Sequence, residues 1–469
     1  MKRKNYSSEY MLNKGLIKII EKSIVSLMTE FKIPRLAEVL VENTKILYKN
    51  AFGNRDLVNE SPFELNSLTG IGSVIKPFIC LSIMKLAELG KLSINNPVSN
   101  YIEFDLEDKN NPIVIKHLMS HSSGIPNLGT IEASIGRKVF DLETYLPISD
   151  KKEEILRFIN TANEEITYKP GEHFFYSNES YVLLGLIIEK VSGIKDFTDF
   201  INEEIFKPLS MNDTFFNKKD LKGKKNISIA YKTVLGKCTP QEQYFGYSGK
   251  APGGMIPSIN ELINYLFFNM NNGEFNNKKI LSDENFREMS KSSIFIDKEE
   301  LFGEKSYGFG WSITSDFFGA KLISHSGSMK VSGSFIGYIP EKKIGAIVIG
   351  NNGLAPLSMI GELLLMSALE IDIINHPVMK TKSVFNRLIG KYNTFLNHYQ
   401  AEVVTNDGIL FVKMNYYEFR KMNNPLIVKN LEKLEFYIYV NGMKIPVKFL
   451  IHENNKIDML IERNCFHKQ

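Results

Sequence analysis

Cysteine is scarce in this chain. Its three cysteines, Cys80, Cys238 and Cys465, lie far apart among 469 residues. So few scattered thiols cannot form the disulfide framework of a small secreted protein, and they lack the paired spacing of a zinc ribbon. The scarcity argues against both classes, and it fits a reducing compartment such as the cytoplasm.

Net charge is also small. The sequence holds 57 basic and 53 acidic residues, which gives a formal charge of +4. A nucleic-acid-binding surface needs a marked excess of Lys and Arg, so this near balance argues against DNA or RNA as a partner. A small molecule or a short peptide remains open as the substrate.

Long uninterrupted hydrophobic runs are absent as well. The most apolar stretch, LAPLSMIGELLLMSALEIDII, carries Glu362, Glu370 and Asp372, whose transfer into lipid would be expensive. The basic N-terminal stretch has apolar residues at helical spacing, but Lys18 and Glu21 interrupt them. Neither segment has the continuous apolar core of a membrane span or a signal peptide. We therefore expect a buried helix, an amphipathic helix and no membrane partner.

The apolar pattern predicts two domains. Strand-like stretches at 33–57 and 307–353 enclose a long segment of mainly helical periodicity, which predicts an antiparallel sheet assembled from both ends of one domain. After Pro377 the chain changes to short alternating runs separated by Asn-Asp-Gly, Asn-Gly and Asn-Asn. We predict an α/β (α+β) domain over 1–376 and a small all-β barrel or sandwich over 385–469.

Ser73 and Lys76 lie three residues apart at the start of a predicted helix, which runs from Ser73 to Leu89 and ends at Gly90. Side chains at this spacing are neighbours on a helix. A serine is a weak nucleophile until a base removes its proton, and a lysine can be that base when burial destabilises its ammonium. The pair is a candidate nucleophile and base, although Ser-x-x-Lys is also common by chance.

Two later stretches supply partners for this pair. Tyr176 and Asn178, in YSN, precede an apolar helix, where a phenol can transfer protons and an amide can orient a lysine. His325, Gly327 and Ser328, in HSGS, lie on a predicted strand, where glycine lets the backbone approach a substrate and the serine N–H can donate to an oxyanion. Taken singly, each of these residues is more often structural.

Together the three stretches resemble the motifs of the β-lactamase-related serine hydrolases, a family that includes class C β-lactamases, D-aminopeptidases, D-alanyl-D-alanine carboxypeptidases and CubicO-type esterases. Their pattern is Ser-x-x-Lys, then Tyr-x-Asn, then a basic triplet ending in glycine. The resemblance extends over about residues 33–374, because GKLSINNPVSNYI, IVIKHLMSHSSGIPN, KPGEHFFYSN, APGGMIPSINEL and YGFGW follow in the same order. It implies a β-lactamase/transpeptidase-like antiparallel sheet with flanking helices and an inserted helical subdomain.

The resemblance gives each candidate a role. Ser73 would be the acylated nucleophile and Lys76 its proton partner. Tyr176 would relay a proton to the leaving group and activate the deacylating water, while Asn178 would orient Lys76 and the substrate amide. The backbone N–H groups of Ser73 and Ser328 would hold the oxyanion.

His325 departs from the lactamase pattern, which places a lysine there. A largely neutral imidazole is a weaker, pH-dependent anchor for a substrate carboxylate than an ammonium. In relatives His-x-Gly accompanies esterases and D-peptidases, so the resemblance points away from true β-lactamase activity. Gly253 and Gly254, in APGGM, are expected to line the cleft, with a simple turn as an equal alternative.

His117 and His121 have the i, i+4 spacing of a helical zinc pair, but Leu118 stands where the zinc-enzyme motif has Glu, and no third ligand is evident. We therefore predict no metal and no cofactor. The C-terminal unit is similar to the small lipocalin-like barrel of some archaeal and bacterial family members. Such a barrel can cap the active site or mediate assembly into a homo-oligomer, and its own side chains can fill it.

The function predicted from the sequence is a serine hydrolase that acts through a Ser-linked acyl-enzyme on small amides or esters. Short peptides with D-residues, or small esters, are the expected substrates. The alternative is a β-lactamase, or a penicillin-recognising protein with slow turnover that acts as a sensor or scaffold. A metal-dependent hydrolase is a distant third.

Overall fold

A computed structural model describes residues 14–106, 110–143, 150–234, 237–353, 355–416 and 420–469. The chain forms two compact units that divide between Glu370 and Ile371. The first unit mixes helices and strands, and the second is almost entirely strands. The predicted α+β fold with a small C-terminal barrel is confirmed.

A large antiparallel sheet is the centre of the first unit. The strands of this unit are β1 (Arg35–Glu42), β2 (Lys45–Asp56), β3 (Ser61–Pro62), β4 (Ala230–Val234), β5 (Lys237–Gln241), β6 (Glu274–Phe275), β7 (Lys278–Lys279), β8 (Ile294–Glu300), β9 (Gly303–Tyr307), β10 (Ser312–Phe317), β11 (Ala320–Ser328), β12 (Gly333–Ile339) and β13 (Ile344–Gly350). Nine of them form the sheet, in the order β3-β2-β1-β13-β12-β11-β10-β9-β8. β4 pairs with β5, and β6 with β7, as separate hairpins.

The two ends of the first unit meet in this sheet. β1 pairs with β13 in a register that sets Leu36 opposite Gly350 and Glu42 opposite Ile344. Every residue of β12 and β13 is buried, which explains why GSFIGYI and IGAIVIG read as nearly continuous apolar runs. Strand β11, between β12 and β10, instead becomes partly exposed from Ser326 onward, and this end of the strand carries the HSGS residues.

Helices of the first unit flank the sheet and fill the segment between β3 and β8. They are α1 (Lys14–Glu30), α2 (Lys76–Glu88), α3 (Ile115–Met119), α4 (Thr130–Phe140), α5 (Lys152–Asn160), α6 (Asn178–Ser192), α7 (Phe197–Ile201), α8 (Tyr247–Gly253), α9 (Ile259–Met270), α10 (Asp283–Met289) and α11 (Leu357–Ala368). Helices α9 and α11 pack on β13, and α6 packs on α2. Among the helices in the described segments, none combines the length and apolar character needed to cross a bilayer.

The predicted helix 73–89 begins later than the sequence suggested. Residues Gly72–Ile75 form a 3-10 turn, and α2 starts only at Lys76. Pro77 lies in the first helical turn, where its missing N–H costs no hydrogen bond, and Gly90 follows the helix with a positive φ of 68°. Ser73 therefore lies on a tight turn that leads into the helix.

The second unit is a nine-stranded antiparallel sheet that curls into a nearly closed barrel. Its elements are α12 (Pro377–Leu388), β14 (Gly390–Asn393), β15 (Gln400–Asn406), β16 (Ile409–Tyr416), β17 (Arg420–Pro425), β18 (Ile427–Asn430), β19 (Glu435–Val440), β20 (Met443–Ile451), β21 (Ile457–Ile461) and β22 (Asn464–Lys468). Side chains such as Tyr392, Val403, Phe436 and Phe449 are buried in its own core. The Asp407-Gly408 and Asn441-Gly442 turns have positive φ at both residues, as two-residue hairpins favour.

Candidate active site

Most of the residues singled out from the sequence line one cavity. This cavity has a volume of about 350 Å³, and it lies beside the end of β11 and the turn before α2. The predicted site residues in its lining are Ser73, Tyr176, Asn178, Gly253, Gly327 and Ser328. Lys76 lies directly beneath them, fully buried and bonded to Ser73.

Two glycines allow the Ser73 turn to lie against the end of β11. Gly72 has a positive φ of 58°, and a Cβ there would lie 2.6 Å from the backbone nitrogen of Ser328. A Cβ on Gly327 would lie 1.9 Å from the carbonyl oxygen of Ile71 and 2.9 Å from the Ser73 nitrogen. Only glycine allows this approach. We expected Gly327 to let the backbone approach a substrate; in the structure it lets the strand approach the nucleophile turn.

Lys76 is the centre of the hydrogen-bond network. Its Nζ donates to Ser73 Oγ at 3.0 Å, to Asn178 Oδ1 at 2.9 Å and to the Pro252 carbonyl at 2.9 Å. Burial lowers the pKa of Lys76 to about 7, against the opposing effect of the Glu132 and Glu179 carboxylates. Near neutral pH part of the population is therefore uncharged. Because Asn178 and Pro252 offer only acceptors, the lone pair of the neutral amine faces the serine hydroxyl.

Tyr176 lies over the same lysine. The Lys76 Nζ is 4.8 Å from the centre of the Tyr176 ring, and the phenol is hydrogen-bonded to Ser73. Burial raises the pKa of Tyr176 above its usual value, although the Ser73 bond opposes this shift. The nearby Glu132 carboxylate also raises the pKa of Tyr176. The resting tyrosine is protonated, so it is a proton donor.

His325 is absent from the lining of the Ser73 cavity. It is 5% exposed, its Nε2 is 2.8 Å from Tyr307 Oη, and its Nδ1 is 2.6 Å from the Ser326 carbonyl. Burial, with the charge of Lys76 as a second cause, lowers the pKa of His325 to about 3. Nδ1 therefore donates to the carbonyl, and Nε2 accepts from the tyrosine. The imidazole lines a neighbouring cavity of about 320 Å³, and its use as a weak anchor for a substrate carboxylate stays a prediction.

Gly254, His117 and His121 do not line the Ser73 cavity. Gly254 follows the last residue of α8, and a Cβ there would lie 2.8 Å from the Lys250 Cα. His117 and His121 do not form a helical pair, because α3 ends at Met119. His117 Nδ1 accepts from the Val114 N–H at 3.2 Å.

His121 positions the YSN segment. Its Nδ1 accepts from the Ser177 N–H at 3.1 Å, and its carbonyl accepts from the Phe175 N–H at 2.8 Å. These two bonds hold the backbone on both sides of Tyr176. The sequence analysis considered His121 only as a metal ligand, and nothing local in HLMSH indicates this role.

Glu132, on α4, is a cleft residue that the sequence analysis missed. It lines the Ser73 cavity, and its Oε1 accepts from Asn178 Nδ2 at 3.0 Å. An amide held by a carboxylate at its nitrogen must turn its oxygen the other way, which here is toward Lys76. The order of the network is Glu132, Asn178, Lys76, Ser73. Nothing in the TIEASIG sequence around Glu132 indicates that it contacts Asn178.

Two substitutions of Glu132 separate its charge from its hydrogen bond. Glu132→Gln keeps an acceptor for Asn178 but removes the negative charge that raises the pKa of Lys76. We expect its pH–rate profile to shift to lower pH with little loss of the plateau rate. Glu132→Ala removes both, and we expect the same shift together with about a tenfold loss of kcat/KM. Identical pH midpoints in all three proteins would contradict this role.

The chain is similar to known proteins along most of its length. The Beta-lactamase family model matches residues 20–357, and the Pab87 octamerisation domain model matches residues 374–467. Protein flp of Staphylococcus aureus (strain MW2) is 25% identical, covering 86% of this chain and 75% of the relative. Penicillin-binding protein 4* of Bacillus subtilis (strain 168) is 27% identical, covering 88% and 89%.

Solved structures show the same fold. An octameric penicillin-binding protein homologue from Pyrococcus abyssi superposes with a TM-score of 0.88 and 33% identity, covering 96% of this chain and 100% of that chain. EstCE1, a hydrolase with promiscuous acyltransferase activity, gives a TM-score of 0.61 and 21% identity, covering 76% and 98%. The β-lactamase model alone covers more than two thirds of the sequence. The chain therefore belongs to the β-lactamase family and is a β-lactamase-related serine hydrolase.

Proposed function

We propose that the protein hydrolyses small esters or short peptides with D-residues through an acyl-enzyme on Ser73. The observation that carries this proposal is the placement of Lys76, whose buried Nζ contacts Ser73 Oγ, Asn178 Oδ1 and the Pro252 carbonyl together. A buried amine with a pKa near 7 is a base that works at neutral pH.

In the acylation step the neutral Lys76 takes the proton of Ser73 Oγ as this oxygen attacks the substrate carbonyl. The Ser73 and Ser328 N–H groups donate to the oxygen that becomes negative. Tyr176 then gives its proton to the leaving oxygen or nitrogen, and the acyl-enzyme forms as that bond breaks. Lys76 begins the step neutral and accepts a proton, whereas Tyr176 begins it protonated and donates one.

Deacylation reverses the transfers. A water molecule loses a proton to the Tyr176 oxygen and attacks the acyl carbonyl, and Lys76 returns its proton to Ser73 Oγ as the acid leaves. Both residues then have the protonation states in which they began. The cycle consumes one water and needs no other reactant.

The charges of His325 and Lys330 bear on whether the substrate carries a carboxylate. His325 is neutral and engaged at both nitrogens, so it offers no cation for a carboxylate. Lys330 is an exposed residue that lines the Ser73 cavity, and its ammonium can receive a carboxylate at the rim. The neutral His325 favours esters and D-peptides, whereas Lys330 keeps slow β-lactam recognition as the second candidate.

A panel of substrates tests this proposal. It contains p-nitrophenyl esters, matched D- and L-alanine p-nitroanilides, and a chromogenic cephalosporin. We expect turnover of esters or D-anilides that stops after treatment with a fluorophosphonate, with L-anilides and the cephalosporin much slower. Stoichiometric cephalosporin binding without turnover of any substrate would favour the sensor, and turnover that a fluorophosphonate leaves intact would overturn the serine mechanism.

Assembly is part of the proposal. The C-terminal residues match an octamerisation domain, and the Pyrococcus abyssi homologue is described as octameric. We infer that this chain also forms a homo-oligomer through its C-terminal unit. Light scattering of the full chain, compared with a chain ended before Ile371, gives the number of copies; a monomeric full chain would contradict the inference.

A further inference from the structure

Three potential metal ligands, Asp458, Cys465 and His467, converge on the outer face of the C-terminal barrel, and His452 contacts one of them. His452 follows β20, Asp458 lies on β21, and Cys465 and His467 lie on β22. Cys465 and His467 are two residues apart, so they share the outward face of the strand, while Phe466 between them is buried in the barrel core. The pairing of β21 with β22 places Asp458 directly opposite His467.

The distances within this cluster are short. Asp458 Oδ1 is 2.8 Å from His467 Nδ1, and Asp458 Oδ2 is 2.8 Å from His452 Nε2. One ligand atom from each of Asp458, Cys465 and His467 lies within 4.8 Å of the other two. The contacts join the loop after β20 to the two last strands, so three successive parts of the barrel supply the cluster.

The ligand types are those of a zinc site. One imidazole nitrogen, one sulfur and one carboxylate oxygen match three of the four tetrahedral positions of Zn²⁺, and water can take the fourth. We propose that Asp458, Cys465 and His467 bind one divalent transition-metal ion, with Zn²⁺ as the best match, while His452 holds the second oxygen of Asp458. The residues to which the hydrolase chemistry is assigned above all lie in the first unit, whereas these three lie in the second.

Metal binding requires only small adjustments. Zinc–ligand bonds of about 2.0–2.3 Å place ligand atoms roughly 3–4 Å apart, so the side chains must separate or approach by about an ångström. The His467 side chain is 58% exposed, so the surrounding protein leaves it room to rotate by this amount. Phe466 anchors the strand that carries two of the ligands.

Protons must leave when the metal binds. Partial burial and the neighbouring Asp458 raise the pKa of the Cys465 thiol, so the metal-free thiol is protonated at neutral pH. The bound form is the thiolate, and its proton passes to solvent. The His467 imidazole presents a lone pair to the ion in place of the N–H that it directs at Asp458, which requires its other ring nitrogen to hold the proton.

Cobalt titration of the full-length protein tests the site. After chelation and desalting, we expect one equivalent of Co²⁺ per chain, with a near-ultraviolet thiolate-to-cobalt absorption band that added Zn²⁺ removes. Cys465→Ser is expected to abolish the band and to raise the Kd about 100-fold, and Asp458→Asn and His467→Gln to raise it at least about tenfold. Cys238→Ser, which changes a cysteine outside the cluster, is the matched control and keeps the band.

Hydrolysis of a fluorophosphonate-sensitive ester by each variant shows that the chain is folded, because no cluster residue belongs to the Ser73 site. The proposal is overturned if the wild-type protein binds no stoichiometric Co²⁺ or Zn²⁺. It is equally overturned if the Cys465→Ser, His467→Gln double variant titrates as the wild type does. In either case the cluster is only a hydrogen-bonded surface network.

Discussion

Replacing Lys76 with arginine is expected to lower kcat/KM by about 10³- to 10⁴-fold, because it removes the base that activates Ser73. Arginine keeps a positive charge but does not deprotonate in proteins. Lys76→Met removes the base and the charge together, and we expect a loss of the same size. Lys85→Arg on the same helix is the matched control, since Lys85 bonds the Ile280 carbonyl and lies outside the cleft.

The pH dependence of the wild-type enzyme also tests whether Lys76 is the base. Only the neutral amine can accept the serine proton, so kcat/KM should rise with pH and level off above the pKa of Lys76, near 7. Circular dichroism and thermal melting must show that the variants are folded. A folded Lys76→Arg protein within tenfold of the wild-type rate would mean that another group is the base.

Gly327→Ala is expected to lower kcat/KM by about 10²- to 10³-fold. The new methyl group would lie 1.9 Å from the Ile71 carbonyl oxygen, so the nucleophile turn and β11 must move apart. This separates the Ser73 N–H from the Ser328 N–H, and the loss of one oxyanion donor has a cost of this size.

Gly350→Ala on β13 is a suitable control for Gly327→Ala. Its Cβ would lie no closer than 3.3 Å, from the end of the Leu357 side chain, which can yield. We expect near-normal kinetics from it. The comparison is made by steady-state hydrolysis of one ester at saturating and limiting concentrations. Equal activity of the two glycine variants would contradict the proposed role of the close backbone approach.

The hairpin turns and the buried strands could be predicted from the sequence, because each depends on residues that are close together in the chain. The Asp407-Gly408 and Asn441-Gly442 turns are hairpin signals that need only two residues, and the structure has a hairpin at each. The buried strands β1 and β13 were recognisable from their apolar runs. The start of α2 was misplaced by three residues, because the backbone of Gly72 follows its packing against Ser328 rather than helical periodicity.

Site features that depend on distant partners could not be predicted. The direction of the His325 ring follows from its bond to Tyr307, and the orientation of the Asn178 amide follows from Glu132, 46 residues earlier in the chain. A motif gives the residue types but not these contacts. The barrel cluster depends likewise on the register that sets Asp458 opposite His467.

The most direct test of the account is to trap the acyl-enzyme and find the residue that carries it. The protein is mixed with an ester substrate or a fluorophosphonate, quenched in acid, and analysed by intact-mass and peptide mass spectrometry. The account predicts one added acyl or phosphonyl group per chain, on Ser73, and no addition in Ser73→Ala. An adduct on another residue, or equal labelling of Ser73→Ala, would contradict it.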